Sequence, residues 1–574
     1  MLCQVLGGFM NKHAVFHSSD SKYCYAIDEK TIEVFLRTSA EDLFENVSIV
    51  YGNKYDYYIK QVKCPMTPRF CDGTFRYYYA KLKLTDVRFV YVFELTEKGK
   101  TSWFCEDGIV DAYEFSLAYF NSFQLPYINK SDIMPKVDWL TNAVFYEIFI
   151  DRFFSADAPK DTSYVNMAWD EIPNPKSFAG GDLAGIIEKI AYIKSLGVNA
   201  LYLTPIFTSI SNHKYDISDY YQVDKQFGTN ETFRKLVEVC HQNGIRVVLD
   251  AVFNHCSENL MQFQDVLQKG KASPYYDWFL IDGDQADTTL GNYEYFGVCK
   301  YMPKLNTSCP AAEEFLIGIA KHWIEEYDID GWRLDVSDEV SHSFWRRFRQ
   351  EVKAIKPDAA IIGENWHDAH VYLQGDQYDS IMNYAITKAM MDYFQKETLD
   401  GMGLAHRMSA LYLRNTSIVN HMMMNLLDSH DTHRFFTLVD KDADKLICAL
   451  ALLFVHPGSV CVYYGTEVPM EGGYDPDCRR PMDWSVENEP SAVGKLITAL
   501  AKLKNHMAIK HGDVDYRSNE KAFVMERSCE DTMIRFTMIR EGQHAIIPGK
   551  VLLSHNFSEN TITGCGFIIE EVRL

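Results

Sequence analysis

The stretch GWRLDVSDE, from Gly331 to Glu339, decides the fold because it has the pattern of a short buried strand that charged residues interrupt. Alternate side chains of a strand point to opposite faces, so Arg333 and Asp335 share one face and apolar residues occupy the other. Buried charges persist when they are paired, so a structural ion pair would explain this stretch as well as a functional site would. The other strands of the sequence decide between these interpretations.

Seven further apolar runs have a similar length and alternate with helical segments. They are AVFYEIFI, VNALYLTPI, IRVVLDAVFNH, AAIIGENW, YDSIMNYAI, HMMMNLLDSHD and SVCVYYGTE. Strands apolar enough to be covered on both faces, with helices between them, favour a parallel sheet. Eight such strands in succession predict a closed (β/α)₈ TIM barrel.

Sequence of β type flanks this barrel on both sides. Short alternating runs such as TIEVFLRT and FVYVFEL have the spacing of a β-sandwich, and runs such as MIRFTMI follow the barrel. We predict an N-terminal β-sandwich over residues 1–125, a barrel over 126–507 and a C-terminal β-sandwich over 508–574. The connection after the third strand, about 256–305, exceeds an ordinary loop and predicts a small inserted domain.

Charge and cysteine content restrict the partners and the compartment. The chain has 574 residues, a net charge of −22 and 14 cysteines without a CxxC pair. Excess negative charge repels phosphate backbones and anionic membranes, so neither nucleic acid nor a membrane is an expected partner. Scattered thiols, no membrane-spanning run and no basic leader predict a reduced, cytoplasmic protein. A start at Met1 or at Met10 fits equally well.

Polar residues stand near the carboxyl ends of the predicted strands, which converge on one opening in a barrel. They are Asp250, His255, Arg333, Asp335, Glu364, His430 and Asp431. Three acids that converge would repel one another unless a site uses their charge. Three carboxylates with an arginine and two histidines, without a cofactor fingerprint or a thiol–histidine dyad, indicate glycoside chemistry.

Four motifs carry a family resemblance. DAVFNH, GWRLDVSDE, GENW and LLDSHD, in this order, resemble the signature regions of glycoside hydrolase family 13, the α-amylase superfamily. MPKLN, from Met302 to Asn306, resembles a fifth region typical of the neopullulanase, cyclomaltodextrinase and maltogenic amylase subgroup. The N-terminal β-domain is similar to the starch-binding-type domain of that subgroup.

The resemblance implies a retaining hydrolase that cleaves α-1,4-glucosidic bonds of cyclodextrins, maltooligosaccharides and pullulan, with some glycosyl transfer. By position, Asp335 would be the nucleophile, Glu364 the general acid and then base, and Asp431 the third carboxylate that steadies the sugar ring. Arg333 would keep Asp335 ionised and oriented. Glu364 must hold a proton at neutral pH, so its pKa is expected to be raised.

The resemblance also implies a substrate-binding set. Its members are Tyr215, Asp250, His255, Arg333, His430 and Trp366. Tyr215 would stack on the ring at the cleaved bond, and the two histidines would hydrogen-bond sugar hydroxyls. Asp250 would brace the mouth, and Trp366 would either stack on a sugar or belong to the core.

Two departures from the family pattern affect the predictions. Asn365 follows the acid where the subgroup usually has an aliphatic residue, which leaves the balance of hydrolysis and transfer open. In relatives the loop after DRF is rich in Asn and Asp and binds calcium. Here it reads FSADAPKD, with Ser155 and Lys160 in place of oxygen ligands. We therefore predict no metal and no cofactor, and expect the Lys160 charge to take the place of calcium.

Other functions of the same fold remain open at this stage. A relative without activity could serve as a carbohydrate-binding protein or a transporter subunit, but all three acids are present. An α-1,6-glucosidase or a sugar isomerase is also compatible with the acids, although MPKLN and the N-terminal domain count against both. The resemblance further implies a homodimer in which the N-terminal domain of one chain covers the barrel mouth of the other.

Overall fold

The computed structural model describes residues 10–157 and 160–573, so a start at Met1 lies outside the described residues. The described chain forms two compact units. The first contains residues 10–135, 399–420 and 514–526, and the second contains the remaining described residues. Within the described residues, no helix is long and apolar enough to cross a membrane.

Two antiparallel sheets form the N-terminal β-sandwich and bury apolar side chains such as Val34, Leu36, Ile49 and Phe93 between them. One sheet has the strand order Cys24–Asp28, Thr31–Ser39, Phe75–Lys83, Thr67–Cys71. The other has the order Val62–Pro65, Asn46–Gly52, Phe89–Glu97, Lys100–Cys105, Gly108–Val110, with Phe123–Leu125 paired to Phe89–Glu97. The predicted sandwich is confirmed.

Eight parallel strands form the barrel, and each predicted apolar run contributes one. They are Val144–Ile148, Ala200–Leu203, Arg246–Ala251, Gly331–Leu334, Ala360–Gly363, Ser380–Ile381, Met424–Leu426 and Ser459–Tyr463. Hydrogen bonds connect the strands in the ring order six, five, four, three, two, one, eight, seven. A parallel bridge between Met382 and Met424 links the sixth and seventh strands, so the predicted barrel is confirmed.

Helices connect these strands, and side-chain caps begin several of them. Thr229 and Thr232 form a reciprocal capping box, and Ser341 accepts from the N–H of Phe344. The fifth connection has only a short 3₁₀ turn, His370–Tyr372. The α-helices are Leu183–Glu188, Ile190–Ser195, Asn230–Gln242, Met261–Lys269, Pro310–Tyr327, His342–Ile355, Tyr384–Met390, Gly401–Tyr412, Ser417–Asn420, Phe435–Leu438, Ala443–Val455, Ala492–Leu503 and Met507–His511.

The long connection after the third strand folds as a small excursion beside the carboxyl end of the barrel. It contains the helix Met261–Lys269 and several isolated antiparallel bridges. One bridge pairs His255 with Lys304, and another pairs Phe279 with Leu305. These bridges return the MPKLN segment to the end of the third strand, next to the predicted acids.

The C-terminal part is a six-stranded sheet instead of the predicted two-sheet sandwich. Its strands are Asp513–Tyr516, Phe523–Cys529, Thr532–Ile539, Gln543–Ala545, Lys550–Ser558 and Thr561–Arg573. The helix Ala443–Val455 supplies the second layer by packing on Thr532–Ile539 and Thr561–Arg573. This helix is buried at every residue from Leu446 to Val455, because the barrel covers one side and the sheet covers the other.

Candidate active site

Three acidic residues follow barrel strands at the same end of the sheet. Asp335 comes directly after the fourth strand, and its N–H donates to the carbonyl of Ala251 at 3.1 Å. Glu364 comes directly after the fifth, and its N–H donates to the carbonyl of Leu334 at 2.9 Å. Asp431 follows the seventh strand within the motif LLDSHD. The ladder therefore continues past the strand ends and fixes the backbone of the first two acids.

The guanidinium of Arg333 is the centre of this acidic cluster. Its Nη1 donates to Asp335 Oδ1 at 2.8 Å and to both carboxylate oxygens of Asp250 at 3.0 Å. Its Nη2 lies 2.9 Å from Glu364 Oε2 and 4.0 Å from Asp431 Oδ2. The strand register places Asp250 directly beside Arg333, which explains the contact of these two residues.

Asp335 and Glu364 share one electrostatic environment. Burial raises the pKa of Asp335 well above its ordinary value, although Arg333 opposes the shift. Burial also raises the pKa of Glu364, against Arg333 and with the help of the Asp431 charge. Burial thus outweighs the effect on Asp335 that we expected from Arg333. Because the charge of Glu364 also raises the pKa of Asp335, we infer that the two carboxyls titrate as a coupled pair.

The pKa of Asp431 is shifted in the opposite direction, below its ordinary value. Its Oδ2 lies 3.1 Å from His430 Nε2, and its Oδ1 accepts from a terminal nitrogen of Arg479 at 3.3 Å. Burial alone would raise the pKa of Asp431, but His430, Arg479 and Arg333 outweigh burial and lower it. Asp431 is therefore held as a carboxylate beside two carboxyls whose pKa values are raised.

A cavity of about 370 Å³ opens above these acids. Its walls are His213, Tyr215, His255, Phe296, Cys299, Tyr301, Met302, Asp335, Val336, Glu364, Trp366, Asp431, Tyr474, Asp475 and Arg479. Six of the residues predicted from sequence are among them. The fully buried Asp250, Arg333 and His430 are not, and their polar atoms bond protein groups. Each of these three braces another side chain from behind the cavity wall, and their assignment to the substrate-binding residues stays a prediction.

Tyr215 and His255 form part of the cavity wall. The Tyr215 hydroxyl donates to Asp250 Oδ2 at 2.9 Å, and its ring stacks on His430 at 5.5 Å. His255 stacks on Phe296 at 4.6 Å. Burial lowers the pKa of His255 to about 3, so the ring is neutral at physiological pH. Among the described residues, none bonds its buried Nε2, which leaves this atom for a ligand hydroxyl.

Trp366 is 53% exposed at the cavity and belongs to its wall, not to the core. One face of the indole lies on Tyr384, with 3.7 Å between ring centroids and an interplanar angle of 4°. The indole N–H donates to Glu364 Oε1 at 3.1 Å. The other face of the indole is thus available for a flat ligand directly beside the acid.

Two neighbours of the acids have unusual environments. Val336 adopts a left-handed backbone with φ of 44°, which strains a β-branched residue, and its N–H donates to Glu364 Oε2 at 3.0 Å. Asn365 is 1% exposed, and its Nδ2 has no partner among the described residues. The departure at Asn365 therefore leaves a buried amide donor next to the acid.

Sequence reasoning missed several residues of the site. Arg479 donates to the carbonyl of His430 at 2.8 Å and lies 2.9 Å from Asp475 Oδ1, but it belongs to a loop without a recognisable pattern. Glu147 contacts His430 from inside the first strand. The signal for Glu147 was present, because it is the only charged residue of AVFYEIFI.

The loop that binds calcium in relatives does not fit this ion here. The Lys160 ammonium donates to the Gly180 carbonyl at 2.5 Å and to the Asp182 carboxylate. Calcium requires six to eight oxygen ligands, and a lysine ammonium competes for these same oxygens. No cluster of three or more potential metal ligands occurs in residues 10–157 and 160–573. The loop residues Ala158 and Pro159 lie outside the described residues.

Comparison with known proteins gives the family. Residues 147–510 match the family model "Alpha amylase, catalytic domain", and residues 10–129 match "Alpha amylase, N-terminal ig-like domain". The first match spans well over half of the chain. The two matched ranges correspond to the barrel and to the N-terminal sandwich described above.

Individual relatives agree with these models. A cyclomaltodextrinase of Thermoanaerobacter pseudethanolicus is 41% identical, with 88% of each chain covered. Neopullulanase 2 of Thermoactinomyces vulgaris is 38% identical over 92% of this chain and 91% of its own. A solved cyclomaltodextrinase structure matches with a TM-score of 0.87 and 33% identity, and 98% of each chain is covered. The chain therefore belongs to the alpha-amylase family, and the protein is a glycoside hydrolase.

Proposed function

We propose that this glycoside hydrolase cleaves α-1,4-glucosidic bonds with retention of anomeric configuration, through Asp335, Glu364 and Asp431. The observation that carries the proposal is the double contact of Arg333 with Asp335 and Glu364. Two carboxyls on one guanidinium are held close together, and retaining enzymes need a separation of about 5–5.5 Å. Asp335 Oδ2 is buried and accepts no hydrogen bond from the described residues, so it is available for attack.

The two steps follow from these positions. In the first, Asp335 Oδ2 forms a bond to C1 of the sugar, and Glu364 gives its proton to the departing oxygen, which keeps the electron pair of the broken bond. In the second, water adds to C1, Asp335 leaves as a carboxylate, and Glu364 regains a proton from that water. Asp431 stays ionised and stabilises the positive charge that develops on the ring.

The substrates that we propose are cyclodextrins, maltooligosaccharides and pullulan, with some glycosyl transfer. Two relatives bear the names cyclomaltodextrinase and neopullulanase, and both cover most of this chain. Aromatic side chains at the cavity, Phe296, Tyr301 and Trp366, suit the apolar faces of glucose rings. The names of these two relatives favour the proposed substrates over those of the alternatives, an α-1,6-glucosidase, a sugar isomerase or a carbohydrate-binding protein.

We also propose that two copies associate through the N-terminal domain. Exposed apolar side chains form an apolar patch on two neighbouring segments, Tyr55, Tyr58, Ile59 and Leu117, Tyr119, Phe120. A ring contact of 5.5 Å between Tyr57 and Phe115 joins the two segments. Exposed patches of this kind mark interaction sites. A second copy of the chain is the occupant that we propose, in line with the dimer that the family resemblance implies.

The proposed compartment is the cytoplasm. The 13 described cysteines are all free thiols. Free thiols in this number suit a reducing compartment, because an oxidising one promotes disulfide formation.

A substrate panel with two matched variants tests the catalytic proposal. Wild type should release reducing sugar from maltotriose, β-cyclodextrin and pullulan, and should not convert isomaltose, sucrose or trehalose. Asp335→Asn should lose activity by about a thousand-fold or more, because the amide cannot form the covalent intermediate. Asp338→Asn is the control, since Asp338 lies on the same segment but contacts His367 outside the cavity. Equal loss in both variants, or activity of wild type on trehalose alone, would refute the proposal.

A further inference from the structure

Glu147 is a carboxylate inside the barrel to which the proposed reaction assigns no role. It lies in the first strand, with Tyr202 and Tyr463 as its register neighbours, and it is fully buried. Its Oε1 accepts from Nδ1 of His430 at 2.6 Å and from the backbone N–H of His430 at 3.0 Å. A buried carboxylate costs several kcal/mol unless it is paired, so this position requires a charged partner.

Counting donors and acceptors around His430 identifies that partner. The Tyr215 hydroxyl gives its hydrogen to Asp250 Oδ2, so its oxygen acts as an acceptor toward His430 Nε2, which lies 2.6 Å away. The carboxylate of Asp431 also faces Nε2, at 3.1 Å. The carboxylate of Glu147 faces Nδ1. Both ring nitrogens therefore face acceptors, and a ring in which both carry hydrogen is an imidazolium.

We propose that Glu147 is a positioning residue that keeps His430 positively charged, so that the imidazolium holds the Asp431 carboxylate where the sugar ring requires it. The inference rests on the role proposed for Asp431. Glu147 itself does not line the cavity and acts only through His430. Without the charge of Glu147, His430 would lose one of its two ring hydrogens more readily. The ring nitrogen without hydrogen would then be an acceptor that faces another acceptor, and that hydrogen bond would be lost.

The other groups around His430 agree with this assignment. Burial disfavours the charged ring, but Asp431 and Glu147 outweigh burial and raise the pKa of His430, against Arg479. The nearby Cys461 remains a neutral thiol, since burial raises its pKa well above the ordinary value. Burial also lowers the pKa of His213 to about 3, so His213 is uncharged at neutral pH. The charged and titratable groups around His430 include Glu147, Asp431, Asp475, Arg479, Tyr215, Tyr202, His213 and Cys478, whose thiol donates to the His430 carbonyl.

The first test is the pH profile of Glu147→Gln. The amide retains the shape and can still accept from His430, but it carries no charge. Glu364 sets the alkaline limb of kcat in wild type, and in the variant His430 should lose its proton before Glu364 does. We therefore expect the limb to move down by about one pH unit or more, which is about a tenfold loss at a pH on that limb. KM for maltotriose should change less than about twofold, because Glu147 does not touch the substrate.

The control for burial and shape is Glu467→Gln. Glu467 is another fully buried glutamate of the barrel and accepts from the hydroxyls of Tyr146 and Tyr192 at 2.6 and 2.9 Å. Burial raises the pKa of Glu467, against the hydrogen bonds from Tyr146 and Tyr192, and neither oxygen of Glu467 contacts His430. This variant should keep the wild-type pH profile. A residue with a merely structural role at position 147 would change the melting temperature but not the profile.

Proton NMR of the wild-type protein tests the charge of His430 without any measurement of activity. A hydrogen bond between a buried imidazolium and a carboxylate gives a far-downfield proton signal, which should persist above the pH at which free histidine loses its proton. Loss of the signal in His430→Gln assigns it, and Glu147→Gln should also lose it. A profile of Glu147→Gln identical to wild type, or a His430 that is neutral at pH 7 in wild type, would overturn the inference. Because this readout needs no turnover, it stands even if the proposed substrates prove wrong.

Discussion

The indole N–H of Trp366 donates to Oε1 of Glu364 at 3.1 Å, while the indole ring lies flat on Tyr384. One side chain thus combines an exposed aromatic surface with a direct contact to the proposed acid. A sugar that stacks on the indole would approach Glu364 at the same time. We therefore expect binding of the acceptor sugar and the protonation state of the proposed acid to be coupled through Trp366.

Trp366→Phe tests this coupling. A hydrogen bond to the carboxylate favours the charged form, so loss of the N–H should raise the pKa of Glu364 further. Activity needs the protonated acid and declines as pH rises through that pKa. The alkaline limb of kcat/KM should therefore move to higher pH in this variant. Trp366→Ala, which also loses the stacking surface, should in addition raise KM. A limb that moves to lower pH in Trp366→Phe would contradict the coupling.

Retention of configuration is a second prediction. Two successive displacements at C1, first by Asp335 and then by water, restore the original configuration. Proton NMR of the first products of maltotriose or β-cyclodextrin cleavage should show the α-anomer before mutarotation. The β-anomer in fresh product would mean that water attacks directly, and Asp335 would then not be the nucleophile.

The Lys160 contacts predict stability without calcium. Excess EDTA should leave the melting temperature and the activity of wild type unchanged. Lys160→Met should lower stability by about 2–3 kcal/mol, because it leaves the largely buried Asp182 without its cation. Lys225→Met, on an exposed lysine, is the control. A large drop of the wild-type melting temperature in EDTA, restored by added calcium, would show that the ammonium does not replace the ion.

The apolar patch predicts the oligomeric state. Full-length wild type should be a dimer by light scattering, and Phe120→Asp should shift it to a monomer, because a buried charge disfavours the interface. Ile547→Asp is the matched control, as Ile547 is 95% exposed but lies in the C-terminal part of the chain. A monomeric wild type would end the proposal.

Single substitutions suit this test better than removal of the N-terminal domain. Within the first unit, Phe70 packs on Tyr412 at 5.1 Å, and Arg69 pairs with Asp515 at 3.2 Å. Removal of the domain would expose the segments that contain Tyr412 and Asp515. Loss of the interface could then not be distinguished from loss of folding.

Lys504 predicts a pH dependence of stability. It is 1% exposed, and burial together with Arg527 lowers its pKa to about 7. In the unfolded chain its pKa returns to the ordinary value of about 10.4, so the unfolded state binds more protons between these pH values. The contribution of Lys504 to stability is therefore most unfavourable below pH 7 and improves as pH rises toward 10.

Thermal unfolding of Lys504→Met and wild type at several pH values measures this contribution. The difference in melting temperature should favour the variant most near pH 7 and should shrink by pH 10. Lys502→Met is the control, because Lys502 is exposed in the last turn of the helix that ends just before Lys504. A difference that does not depend on pH would contradict the assignment.

Sequence patterns were sufficient for the barrel and the acids but not for their supporting residues. Apolar runs fix strands because their burial on both faces is a local property, and Asp335 and Glu364 follow such runs directly. Arg479 reaches His430 from a loop after the eighth strand, and no local pattern encodes a contact of that sequence separation. The C-terminal sheet was misjudged because its second layer, Ala443–Val455, is a helix from another part of the chain.

The ammonium of Lys160 affects how this loop responds to changes in the concentration of divalent ions. A bound ion leaves when its free concentration falls, or when citrate or phosphate competes for it, whereas a cation tethered to the backbone cannot be diluted away. We therefore expect the fold near Asp182 to be indifferent to the supply of divalent ions. By the same reasoning, we expect a rise of the calcium concentration to leave this loop unchanged. Only a change to the polypeptide itself, such as acylation of that lysine, would remove the contact.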